Sequence, residues 1–163
     1  LKGGEVCSGL KNNNKLTDSA GRKHTSLFSK LFADWPTIND ARAQKIEKSY
    51  TSIVLPPETE QIETYSFCGN TSGTGNHVEI WTGVLVKSEL SVSELNHWFE
   101  TAALPEPAYG PMIWPVPENR SANYSVMHSF IKFSQLEQLE QAEGHYIIGS
   151  FHDAVTQHDI RGY

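Results

Sequence analysis

The stretch "HVEIWTGVLVK", residues 77–87, constrains this chain more than any other. Val78, Ile80, Thr82, Val84 and Val86 alternate with His77, Glu79, Trp81, Gly83 and Leu85. That is the period of a strand whose successive side chains point to opposite faces. One of those faces is a regular, mostly β-branched row that has to be buried. A chain carrying such a strand must build a sheet and supply a layer to cover it.

The following residues supply that layer. In "SVSELNHWFETAA", Ser91 and Glu94 have the spacing of a capping box, and Leu95, Trp98, Phe99 and Ala102 form a helical stripe. "MIWPV" reads as an edge strand because of Pro115. "SVMHSFIKF" is apolar on both faces, as a central strand would be. "SQLEQLEQAEG" predicts a helix with Ser134 as N-cap, Glu137 reaching back and Gly144 just past its end. "HYIIGSF" is the last strand. From about residue 77 the expected order is β-α-β-β-α-β, the ferredoxin-like arrangement.

Upstream, "TSLFSKLFADW" has helical recurrence that Pro36 should stop. A second helix is expected from Asp40 to about Tyr50, with Thr37 and Asp40 as its capping pair. The strands "TSIVL" and "QIETYSFC" follow, and "GNTSGTGN" is a loop. The expected fold class is therefore α+β: a mostly antiparallel sheet with helices packed on one face, preceded by two N-terminal helices and two strands. Residues 1–24 are rich in Gly, Lys and Asn and predict a disordered polar arm. Residues 25–163 predict a single domain.

Composition narrows the function classes. The chain has 163 residues, 38% of them apolar, which suffices for one core. Its net charge is −6 and its Lys and Arg are scattered, against the clustered basic face that nucleic acid requires. No apolar run approaches the roughly 20 residues that span a bilayer. A chain starting at Leu1 rather than Met fits a trimmed product. Cys7 and Cys68 are two thiols or a single bridge between arm and strand, and sequons begin at Asn70, Asn119 and Asn123. A bridge would place the chain in an oxidising compartment, and the setting leans extracytoplasmic or secreted.

Two surfaces carry functional expectations. The first is the Pro/aromatic segment 104–124, where Tyr109, Trp114 and Tyr124 are of the types that line ligand pockets and interfaces. Together with Trp81 on an open sheet face, these residues predict a non-enzymatic binding or protein-interaction domain. Its partner would be a protein or a small ligand, with a homodimer as an alternative, and it needs no cofactor. The second is the His-Asp pair His152–Asp153. Antiparallel pairing of the first and last strands would set His77 across from His152 and bring Glu79 onto the same face. That cluster of His77, Glu79, His152 and Asp153 could ligate a divalent metal and do hydrolase-like acid/base work. The chain lacks H-E-x-x-H spacing, a G-x-S-x-G elbow and a P-loop lysine, so no motif favours catalysis. In the binding reading, "HDAVTQHDIRGY" is a solvated tail.

Overall fold

The alternating row of residues 77–87 runs through the middle of a four-stranded antiparallel sheet. The computed structural model describes residues 27–73, 75, 77–102, 105, 109–118 and 130–162, with backbone alone for 27–34. A helix α1 (Leu27–Tyr50) precedes β1 (Thr59–Gly69), β2 (Glu79–Ser88), α2 (Val92–Thr101), β3 (Tyr109–Pro115) and β4 (His145–Asp153). The spatial order is β1-β2-β4-β3, and every neighbouring pair is antiparallel. β2 and β3 thus run the same way with β4 inserted between them, and α2 crosses from one to the other. The α+β class and the antiparallel sheet are those expected.

The row Val78, Ile80, Val84 and Val86 is fully buried against both helices. α1 contributes Ala43, Ile46 and Tyr50, and α2 contributes Phe99 and Trp98 to the same cluster. The capping box is present as well: the Glu94 amide donates to Ser91 Oγ at 3.3 Å and the Ser91 amide donates to Glu94 Oε2 at 2.8 Å. Hydrogen bonds from the Ser91 hydroxyl and amide hold the Glu94 carboxyl below its ordinary value.

Upstream, one helix replaces the two expected. α1 continues through Pro36 although an interior proline costs about 3 kcal/mol or more. Tertiary bonds hold this turn: Arg161 donates to the Pro36 carbonyl at 3.1 Å and pairs with Asp40. Asp40 therefore serves Arg161 rather than a helix cap. "TSIVL" is not a strand; it leaves the helix as a turn that buries Ile53.

The helix expected over 134–143 is absent, and only the single 3-10 turn Leu136–Gln138 forms. The described part of "SVMHSFIKF", Phe130–Phe133, is not strand. The expected β-α-β-β-α-β order is thus met through β2, α2 and β3 and departs after it. The physical reason lies in the far face of the sheet. Phe130, Ile131, Phe133, Leu136 and Ala142 are laid across that face, over Trp81, Leu85 and Ile147. An α-helix advances only about 1.5 Å per residue against about 3.3 Å for extended chain, so an irregular segment covers more sheet. Glu63 on β1 fixes its start by accepting from the Ser134 amide and hydroxyl and the Gln135 amide, at 3.0, 2.8 and 2.8 Å. Both sheet faces are covered, so the open face expected around Trp81 does not exist.

Candidate functional site

The register of β2 with β4 decides the fate of the predicted metal cluster. Ile80 faces His152 and Glu79 faces Asp153. His152 therefore shares a face with Ile80, Thr82 and the helices, while His77 and Glu79 belong to the side of Trp81. An odd-numbered offset from the expected pairing moves every side chain of a strand to the other face. His152 is buried, with its Nε2 3.4 Å from the Tyr50 hydroxyl and its ring edge-on to Tyr50 at 5.8 Å. His77 remains exposed and pairs with Glu79 at 3.0 Å. Among the described residues, no three His, Cys, Asp or Glu side chains come close enough to hold a metal ion.

The register itself is pinned by Trp81. Gly83 and Gly149 are direct partners, and the Trp81 indole lies over both. A Cβ at either position would stand 2.5 Å from the ring. Sliding β4 by two residues would put Ile147 or Phe151 under the indole instead. Trp81 is fully buried beneath Phe130 and Phe133, so it is a core residue and not a contact surface.

The C-terminal stretch is built into the fold, contrary to the solvated tail expected. The Gln157 side-chain amide bonds the Val78 backbone in both directions, at 2.8 and 2.9 Å. Asp159 is fully buried and accepts from Asn39 Nδ2 at 3.0 Å and Arg161 Nε at 2.9 Å. Burial pushes its carboxyl up, but the bonds from Arg161 and Asn39 outweigh that and hold it below the ordinary value. His158, of the second His-Asp pair, is exposed and stacks 4.8 Å from Trp35.

Of the Pro/aromatic segment, residues 109–118 are described. Tyr109 is 66% exposed at the start of β3, and Trp114 is half-buried against the core of the far face. Tyr124 lies outside the described residues, as do the arm 1–24, Cys7 and the sequons at Asn119 and Asn123. The segment's far end borders a cavity of about 460 Å³ lined by Pro115, Val116, Glu118, Glu143, His145 and Tyr146. The Val116 amide donates to the His145 carbonyl at 2.9 Å, which locks the end of β3 onto the start of β4.

His145 is the centre of this cavity's chemistry. It is 7% exposed, and its Nδ1 stands 3.0 Å from the Glu143 carbonyl oxygen. A carbonyl only accepts, so Nδ1 carries the proton and Nε2 offers its lone pair in the neutral ring. Among the described residues, Nε2 takes no protein partner. Two carboxylates, Glu118 and Glu143, line the same space. The arrangement accepts hydrogen bonds and carries negative charge. Sequence reasoning passed over His145 as a strand's first residue; the acidic "EGH" before that strand was the available signal.

No family model, curated protein or solved structure matches this chain.

Buried groups without partners also mark the interior. Trp81 Nε1, Thr82 Oγ1, Trp98 Nε1 and Ser150 Oγ find none among the described residues. Each such group costs about 1–3 kcal/mol.

Proposed function

We propose that the chain is a non-enzymatic binding domain whose site is the cavity at the β3–β4 end, and that its ligand is a small organic amine. The observation that carries this is the His145 imidazole, oriented by the Glu143 carbonyl, in a cavity whose lining includes the two carboxylates Glu118 and Glu143. A primary ammonium donates three hydrogen bonds and carries the complementary charge. About 460 Å³ falls within the 300–1,000 Å³ typical of small-molecule sites. The net charge of −6 further raises the local concentration of cations. The proposal keeps the far end of the Pro/aromatic segment as contact surface and drops the open sheet face. We read the fold as a permuted ferredoxin-like arrangement, with α1 and β1 taking the part of the last helix and strand of the expected order.

Calorimetric titration with putrescine is the test, with acetate as the anionic control and a lysine-containing peptide as a third arm. Putrescine should bind saturably and acetate should not. His145→Ala and the double variant Glu118→Gln/Glu143→Gln should each weaken putrescine at least tenfold while circular dichroism stays unchanged. Equal affinity in all variants would refute the site. Binding of the peptide alone would replace the small amine with a protein lysine.

A further inference from the structure

All four strands start or stop at one end of the sheet: Thr59 of β1 pairs with Ser88 of β2, Lys87 with His145 of β4, and Tyr146 with Pro115 of β3. A second cavity, of about 390 Å³, lies at this same end between β1 and β2, lined by Glu58, Thr59, Glu60, Lys87, Ser88 and Glu89. The Glu89 amide donates to the Glu58 carbonyl at 3.2 Å, which ties its two walls together. The His145 cavity begins one hydrogen bond away. The Ser88 amide donates to the Gly144 carbonyl at 2.8 Å, and Ser88 lines one cavity while Gly144 lines the other. The two cavities also share a charge. Three exposed carboxylates against one ammonium leave the β1–β2 cavity with two negative charges in excess, and Glu118 and Glu143 give the same excess beside His145. The Thr59 and Ser88 hydroxyls bond each other at 2.7 Å, which leaves recognition of a cation to the carboxylates.

We propose that the two cavities form one site for a linear polyamine, with ammonium groups spread along a methylene chain as in spermine. This rests on the amine reading of the His145 cavity and extends it to the neighbouring one. Exposed carboxylates alone attract only a screened ion atmosphere; two adjacent cavities give a multivalent guest somewhere to settle. Their centres, on the strand pairs β1–β2 and β4–β3, lie two strand spacings apart, roughly 10 Å. That is beyond the span of the butane chain of putrescine, so a longer amine is required to engage both. One end ammonium enters beside Glu118 and Glu143 and the other beside Glu58, Glu60 and Glu89. Uncharged methylenes then cross the Ser88–Gly144 junction, where there is no carboxylate to meet a charge.

The experiment is calorimetric titration of the full chain with putrescine, spermidine and spermine at one fixed salt concentration. Spermine should bind at least tenfold tighter than putrescine, with spermidine between them. Glu58→Gln/Glu89→Gln should erase most of that advantage. Glu60→Gln should reduce it in the same direction, so one variant reports even if the other folds poorly. Glu79→Gln/Glu100→Gln removes as much charge at the far end of β2 and on α2, and should leave the spermine-to-putrescine ratio within twofold. A ratio equal in the parent and both cavity variants, with putrescine still bound, would overturn the joined site and spare the His145 reading. An equal drop in the control variant would overturn it in favour of a diffuse counterion cloud. No binding by any of the amines would remove both readings together. Displacement of spermine by a lysine-rich peptide at lower concentration would overturn the small-molecule assignment and give the site to a protein partner.

Discussion

Trp81 and its two glycines are the strictest local requirement in the sheet. The ring occupies the space a side chain at position 83 or 149 would need, and it is a rigid neighbour that cannot swing aside. Gly149→Ala should therefore destabilise the protein by about 1–3 kcal/mol, the usual cost of overpacking. Urea denaturation monitored by tryptophan fluorescence measures it, and a change within 0.5 kcal/mol would disprove the contact. Asp159 poses an electrostatic version of the same question. Its folded carboxyl is harder to protonate than that of the unfolded chain, so the ionised form stabilises the fold. That contribution is complete above the unfolded value of about 4 and is lost as pH falls through the folded value. Asp159→Asn leaves the Arg161 charge short of one partner, and should cost on the order of 3–5 kcal/mol at pH 7. Its melting temperature should also vary less than the parent's on acidification below pH 4. An identical acid profile would show that Asp159 is not the group responsible.

Elements were legible where they announce themselves locally. β2 follows from strict alternation, and α2 from a capping box plus an apolar stripe, both of which act within a few residues. The cover over the far face has no such signature. Its helix-like spacing "LEQLEQ" is overridden by Glu63, which lies seventy-odd positions upstream and captures the amides that would open a helix. Pro36 misled in the opposite sense, because the bonds from Arg161 that hold its turn come from the other end of the chain. Glu63→Ala should therefore loosen the segment 130–142 with little effect on α2. The expected loss is on the order of 1–2 kcal/mol, as for bonds to a charged acceptor. Near-ultraviolet circular dichroism of the aromatic cluster should weaken while far-ultraviolet intensity holds; the reverse pattern would contradict this role for Glu63.

At the scale of the whole molecule, what the sequence could not disclose was register. The metal cluster of His77, Glu79, His152 and Asp153 assumed one alignment of two correctly identified strands. The actual alignment is set by where an indole finds room, a three-dimensional fact with no trace in spacing. The same holds for His145, whose value comes from a carbonyl two residues back and a cavity bordered by the end of β3.

β4 sits between β2 and β3, yet it leaves the ribosome after every other described strand. Until it arrives, β1 and β2 can form only a hairpin, and β3 has no neighbour at all. The apolar edge of β2 must wait through more than fifty residues of synthesis with nothing beside it. Sheets that depend on such distant pairing form slowly and expose themselves to wrong partners. For this chain the nascent state, rather than the finished one, is the moment of greatest hazard.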